Sequence, residues 1–377
     1  MVNVLYLINK YSGNYPLYNA QAALDNSKFR TIVCYLSGTY DGNNGLEKQG
    51  CKAIYLNIDK KKARWYHYSA ISKIRQIIED ENIHVINCHR RRATEIGIAA
   101  SLLSRAKPAI FTTIHGLRES KSYLRKLKEF FINRKLAGII CISYAVGEYI
   151  LKTSWFLDTS KVTVIQNGLP FEKFLIPRVK SESRNLILPK VTAKYWFGTI
   201  GRLSEVKNHK TLITAFAKYV ETIQNSVLLI AGEGLLEADL KNLVDRYGIK
   251  DKVFFLGFIT DIPEFLNALD VFVLPSFREG LCLALLEAMA SGLPVITSNV
   301  GGIPEVFGKA EMGKMVEPSD TGGFEIAMKE LISLPEKTLN ELGANSRERA
   351  VTDFSSTRMT RDYEKLFQKE TKQLFMP

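Results

Sequence analysis

A chain of 377 residues exceeds what one ordinary hydrophobic core serves and suits two domains of normal size. Apolar content of 46% and charged content of 24% exclude a disordered chain, and no apolar run reaches the ~20 residues that a transmembrane helix needs. The net charge of +12 is lopsided: residues 1–180 hold 28 Lys and Arg against 13 Asp and Glu, and the remainder 23 against 26. The first half is therefore expected to face something anionic, either nucleic acid or a membrane surface.

Val2-Asn-Val-Leu-Tyr-Leu-Ile8 has neither a basic start nor a cleavage site and reads as a first strand. Further strands are expected at Arg30–Leu36, Ala53–Leu56, Val85–Cys88, Ile110–Ile114, Gly138–Ile142 and Val162–Ile165. Helical patterns fall between them at Tyr68–Glu79, Ala93–Leu103, Lys121–Leu136 and Ala145–Leu151. Alternation of this kind predicts an α/β domain with a parallel sheet covered on both faces. Pro170–Lys194 loses periodicity, carries Pro177, Pro189 and several charges, and reads as a linker. The five cysteines (Cys34, Cys51, Cys88, Cys141, Cys282) have no metal-ligand spacing, so reduced thiols in a cytoplasmic protein are expected.

A second alternating series starts at Trp196–Ile200 and runs through helix Leu212–Glu221, strand Val227–Ala231, helix Leu235–Tyr247, strand Val253–Phe255 and helix Ile262–Leu269. Asp270–Pro275 and Leu293–Thr297 read as strands with the helix of a βαβ unit between them. That helix carries Glu279 in the turn before it and Glu287 about two turns in, among Leu283, Leu285, Leu286, Ala288 and Met289. A carboxylate in such company is costly to bury unless something hydrogen-bonds it. Helices near Gly323–Leu334 and Glu336–Val351 follow, and an amphipathic stretch, Thr357–Leu374, lies beyond the second domain's natural end. The expected division is residues 1–180, residues 195–356, and a C-terminal helix over 357–377 that crosses back to the first domain.

Glu279-Gly-Leu-Cys-Leu-Ala-Leu-Leu-Glu287 resembles the glutamate, seven residues, glutamate motif of family-4 retaining glycosyltransferases. Gly201-Arg-Leu-Ser-Glu-Val-Lys-Asn208 resembles that family's pyrophosphate-binding stretch. Ala231-Gly-Glu-Gly-Leu235, Val164-Ile-Gln-Asn-Gly168, Val300-Gly-Gly-Ile-Pro-Glu305 and Ile114-His-Gly116 match further landmarks in the expected order. The resemblance spans essentially the whole chain, most specifically residues 196–305. It implies the GT-B fold, two doubly wound, Rossmann-like parallel-sheet domains facing across a cleft, with the nucleotide sugar in the second and the acceptor in the first.

Sugar transfer from a nucleotide diphosphate builds negative charge on the leaving phosphates. A forked guanidinium and a mobile ammonium, Arg202 and Lys207, suit that charge, and the resemblance implies this role for both. It also implies that Glu279 contacts the donor sugar, that Glu287 contacts the ribose, and that His115 touches the donor sugar. Taken as residues eight apart on one helix, the two glutamates would lie ~12 Å apart along its axis, beyond the ~5–9.5 Å of a glycosidase acid/base pair. Backbone N–H groups of Gly280, Leu281, Cys282 and Leu283 are expected at the diphosphate, and Gly232, Glu233 and Gly234 near the nucleoside. Cys282 and Ala284 stand where glycine and proline are usual in the family. On the acceptor side, Gly13 is the best match to the family's first glycine loop, and Arg90 completes the assignment. No Asp-X-Asp occurs near a strand end, so no metal is expected, and no cofactor beyond a nucleotide-diphosphate sugar, expected to be a UDP-sugar, acting as co-substrate.

Within Arg118–Leu136, Lys121, Arg125, Lys128 and Lys135 form a basic stripe beside Leu124, Leu127 and Phe131, the pattern of an interfacial helix on an anionic membrane. Lys60–Tyr66 and Arg90-Arg-Arg92 add to the patch. No nucleic-acid-binding module is present, so nucleic acid is not expected as a partner. The expected function is a retaining hexosyltransferase, peripheral on the inner face of the cytoplasmic membrane. It would act on a glycan or lipid-linked acceptor in bacterial cell-surface polysaccharide or glycolipid synthesis. The alternatives are a sugar-nucleotide epimerase of the same fold, or a catalytically silent partner subunit.

Overall fold

The computed structural model describes residues 1–11, 13, 16–58, 68–117, 123–154 and 157–375. The chain divides into two compact units, Met1–Pro170 with Ser356–Pro377, and Phe171–Ser355. Each is built on one parallel sheet.

The first unit contains β1 (Val2–Ile8), β2 (Phe29–Tyr35), β3 (Lys52–Tyr55), β4 (Val85–His89), β5 (Ala109–Ile114), β6 (Gly138–Cys141) and β7 (Val162–Val164), in the spatial order β3-β2-β1-β4-β5-β6-β7. The second contains β8 (Tyr195–Ile200), β9 (Ser226–Ala231), β10 (Val253–Gly257), β11 (Val271–Leu274), β12 (Val295–Ser298) and β13 (Gly313–Val316), ordered β10-β9-β8-β11-β12-β13. Both orders reverse direction once, between β1 and β4 and between β8 and β11. Outside the carboxyl ends of strands at such a reversal is where doubly wound sheets take ligands.

Central strands are buried on both faces because helices cover each side, so they read as continuous apolar runs. In the second unit the core gathers Phe197, Leu212, Phe216, Leu228, Ile230, Val273 and Phe324 from strands and helices alike. In the first, the C-terminal helix Ser356–Phe375 presents Met359, Tyr363 and Phe367, fully buried at a spacing of four. Phe367 meets Phe111 of β5 at 5.4 Å between ring centroids. Thr360 Oγ1 donates to the Ala20 carbonyl at 3.1 Å, and the Asp25 backbone N–H donates to Glu364 at 2.7 Å.

Three expectations need correction. Pro170–Lys194 is not an irregular linker but carries a helix, Lys180–Ile187. Its period was hidden because polar side chains anchor it: Arg184 pairs with Asp270 at 2.5 Å and donates to the Ala268 carbonyl. The helix between β11 and β12 starts only at Leu283, so Glu287 is about one turn in rather than two. Glu279 therefore lies four residues outside the helix, and the axial separation expected for eight helical residues does not apply. Finally, β13 went unread because Lys314 and Met315 are exposed on this edge strand.

Candidate functional site

At the reversal of the second sheet, two loops meet. The loop after β8 runs from Gly201 through a 3-10 turn, Glu205–Lys207, to Asn208, whose left-handed backbone (φ 53°) turns the chain into helix His209–Thr222. Asn208 ties this loop to others by donating to the carbonyls of Pro275 (3.0 Å) and Pro318 (2.8 Å). The loop after β11 carries Ser276 and Glu279, and its Phe277 N–H donates to the Val206 carbonyl at 2.8 Å.

Across that seam Lys207 Nζ donates to Glu279 Oε1 at 2.8 Å, and Ser276 Oγ donates to the same oxygen at 2.7 Å. Burial acts to lower the Lys207 pKa, but the Glu279 carboxylate outweighs it and holds the ammonium charged. Cys282 Sγ lies 3.8 Å from Nζ, and burial pushes its thiol up to about 11, so it stands beside the lysine uncharged. Arg202 projects from the same loop, is exposed, and has no ion-pair partner among the described residues. The loop thus carries two cations, of which only Lys207 has an ion-pair partner among the described residues.

Gly232 and Gly234 close the floor. The loop after β9 packs so tightly on the Gly201–Leu203 loop that a Cβ on Gly232 would stand 2.0 Å from the Gly201 carbonyl oxygen, and one on Gly234 would stand 2.2 Å from that of Leu203. Leu203 N–H donates to the Glu233 carbonyl at 3.0 Å, while the Glu233 side chain is exposed. On the other side, the Gly302 N–H donates to the Glu279 carbonyl, and a Cβ on Gly302 would press within 2.1 Å of the Gly280 oxygen. The four sequence landmarks of this half are thereby brought into one region of the second unit. Leu281 and Cys282 are buried there, Gly280 and Leu283 partly so, and Cys282 forms the extended N-cap of the helix.

Glu287 is 8% exposed. Burial pushes its pKa up to about 7, partly offset by the Lys173 ammonium. The carboxyl is therefore held near half-ionisation at neutral pH, as expected of an acid in apolar surroundings.

The first unit holds a separate cluster at its own reversal. His115 follows β5, and its Nε2 lies 2.9 Å from Nδ1 of His89, the last residue of β4. His89 is fully buried, pairs in register with Ile8 of β1, and stacks on Tyr6. Burial lowers the pKa of both imidazoles, with Arg90 adding to the effect, and takes His115 to about 4. Arg90 itself is exposed, contacts the Tyr18 hydroxyl, and has φ 72° and ψ 156°. That region is essentially reserved for glycine and costs on the order of 1–3 kcal/mol. Gly13 has a left-handed φ of 75°, with Asp41 the nearest neighbour to its missing side chain.

His89, Ser276 and Asn208 were not singled out from the sequence. The basic stripe is only partly seen: Lys128 and Lys135 are exposed on helix Tyr123–Lys135, as are Leu127 and Phe131. Lys121, the side chains of Leu124 and Arg125, and Lys60–Tyr66 lie outside the described residues.

Comparison with known proteins agrees with this geometry. The Glycosyltransferase Family 4 profile matches residues 17–173, and that of Glycosyl transferases group 1 matches residues 185–349. An Escherichia coli UDP-Gal:alpha-D-GlcNAc-diphosphoundecaprenol alpha-1,3-galactosyltransferase is 31% identical over 315 residues, covering 81% of this chain and 78% of the relative. A glycosyltransferase from Rickettsia africae superposes with a TM-score of 0.83 at 18% identity, over 98% of both chains. An Anabaena protein crystallised with UDP and glucose superposes at 0.81 with 19% identity, over 98% of this chain and 100% of that one. With the fold, the strand-end constellation and these matches in agreement, the chain belongs to glycosyltransferase family 4.

Proposed function

We propose that the chain is a retaining hexosyltransferase of cell-surface polysaccharide or glycolipid synthesis, using a UDP-sugar and a lipid-diphosphate-linked or glycan acceptor. The observation that carries the donor assignment is the Lys207–Glu279 pair joining the loops after β8 and β11, with Arg202, which has no ion-pair partner among the described residues, on the first of these loops. Lys207 and Arg202 take the diphosphate, whose charge grows as the glycosidic bond breaks. Glu279, released from Lys207, accepts hydrogen bonds from the donor sugar, and Glu287 accepts them from the ribose. The backbone N–H groups of Gly280–Leu283 add donors for phosphate oxygens. Gly232, Glu233 and Gly234 border the nucleoside. With two side-chain cations serving the phosphates, no divalent ion is called on.

The acceptor belongs to the first unit. The strained backbone of Arg90 places a guanidinium at the carboxyl end of β4, where it suits an acceptor phosphate, with Gly13 on the neighbouring strand end. The E. coli relative, named for a diphosphoundecaprenol acceptor, supports that reading. Docking on an anionic membrane through the basic face of helix Tyr123–Lys135 brings such an acceptor within reach.

The test is incubation with a panel of nucleotide sugars, with and without chelator, read by thermal shift and by donor hydrolysis. Stabilisation and slow hydrolysis with one UDP-sugar, unaffected by chelator, are expected. No response to any diphosphate sugar would overturn the assignment.

A further inference from the structure

The contact between His89 and His115 is short enough to require one proton between them, and the surroundings decide whose it is. His89 Nδ1 and His115 Nε2 are 2.9 Å apart, so one nitrogen donates and the other accepts. His89 is fully buried, and its second nitrogen, Nε2, is buried without a hydrogen-bond partner. If His115 were the donor, His89 would carry its proton on Nε2 and leave a buried N–H unsatisfied, a rarer and costlier arrangement than a bare buried acceptor. If His89 donates from Nδ1, Nε2 keeps only a lone pair, which needs no donor's proton to be buried with it. A doubly protonated imidazolium on either ring is disfavoured by the same burial and by the neighbouring Arg90 guanidinium.

We infer that His89 is a positioning residue that fixes His115 in the tautomer protonated on Nδ1, making His115 a hydrogen-bond donor to a carbohydrate hydroxyl rather than a base. The His115 ring makes no other hydrogen bond among the described residues, and it is only partly covered, so Nδ1–H is left for a ligand. His89 is held for this duty from several sides. Its backbone lies in register with Ile8 of β1 and Thr113 of β5. Its ring stacks on Tyr6 at 5.8 Å and meets the edge of Tyr18 at 5.0 Å. A fully buried ring packed against two aromatic neighbours is hindered from rotating to offer its other nitrogen. The consequence for transfer is specific: His115 orients a hydroxyl, and no proton leaves the acceptor through it.

The inference rests on the sugar-transfer reading only for what His115 donates to; the proton's position is readable without activity. Long-range 1H–15N spectra of wild-type protein carrying 15N-histidine, with His115→Gln used to assign the signals, are expected to show His115 with Nδ1 protonated and Nε2 bare at pH 7. Protonated Nε2 would overturn the inference on wild-type protein alone. In His89→Phe, His115 should shift towards the Nε2-protonated form that free histidine favours, with kcat down about tenfold and KM for donor little changed. His89→Asn keeps a donor near the Nδ1 position and should recover most of that loss, whereas His89→Gln should not. Equal activity of the Asn and Gln variants would show a purely steric role. A wild-type enzyme with the predicted tautomer but no transfer to any acceptor would instead overturn the proposed function.

Discussion

Lys207 and Glu279, 72 residues apart in the chain, share a 2.8 Å ion pair that joins the loops after β8 and β11. Both side chains are mostly buried, at 22% and 11% exposure, so the pair is sheltered from the screening that weakens surface ion pairs. The Glu279 carboxylate thus keeps the Lys207 ammonium charged and in place. On the proposed function, donor binding would exchange this pair for phosphate and sugar partners, leaving neither buried charge uncovered.

Lys207→Ala removes the cation and leaves Glu279 with Ser276 as its remaining partner. Turnover should fall by the equivalent of roughly 2–4 kcal/mol in barrier, beyond any change in KM, because the phosphate charge is largest in the transition state. Steady-state kinetics with the best donor check this, and unchanged kcat would exclude the role.

Gly232→Ala tests the floor of the nucleotide loop. The added Cβ would meet the Gly201 carbonyl oxygen at 2.0 Å, from a backbone with φ 137°. Both loops must separate, so donor KM should rise more than about tenfold, with about 1–3 kcal/mol of stability lost. Gly248→Ala is the control: its φ is 67°, but nothing stands within 4 Å of the new carbon. It should cost about 1 kcal/mol of stability and leave donor binding unchanged. Equal KM effects in the two variants would mean that only backbone strain matters.

Glu287 is expected to make the protein less stable as pH rises. Its folded-state pKa is raised to about 7 from an unfolded value of 4.5, so its contribution is fully present below pH 4.5 and is lost as pH climbs through 7. The full swing is about 3 kcal/mol. Glu287→Gln should abolish it, giving a higher Tm than wild type at pH 8 while weakening donor binding. Melting curves from pH 4 to 8 decide: parallel wild-type and variant profiles would rule out the buried, perturbed carboxyl.

Membrane docking predicts a salt-sensitive effect. Replacing Lys121, Arg125, Lys128 and Lys135 with Ser should weaken binding to anionic vesicles by several kcal/mol, at about 1 kcal/mol per basic residue. Neutral vesicles should bind neither form. Co-sedimentation at two ionic strengths reads this, and equal binding to both vesicle types would leave the helix as scaffold.

The alternation of strands and helices was legible because buried parallel strands leave continuous apolar runs, and the residues proposed to bind the donor could be picked out because their motifs are local. What escaped the sequence depends on contacts between distant segments. The expected end of β4 at Cys88 misses His89, since only the ladders to Ile8 and Thr113 carry the strand one residue further. The His89–His115 contact joins residues 26 apart with no period to announce it. The late start of the helix at Leu283 has the same origin: Pro275–Cys282 is held as a loop by Val206, Asn208 and Gly302, none of them its neighbours in sequence. Helix Lys180–Ile187 shows a different limit, because it is anchored by charges rather than by an apolar stripe.

The return of helix Ser356–Phe375 to the first unit has a consequence for biosynthesis. Met359, Tyr363 and Phe367 complete a core whose other residues are made more than 185 residues earlier. During translation the unit begun first therefore cannot be finished until helix Ser356–Phe375 leaves the ribosome, while Phe171–Ser355, begun second, is contiguous and free to close earlier. A stop codon near residue 355 would spare every residue of the second unit proposed to bind the donor, yet release a chain whose amino-terminal half carries an open apolar groove. Such a product is expected in inclusion bodies or in the hands of chaperones rather than as a partly active enzyme.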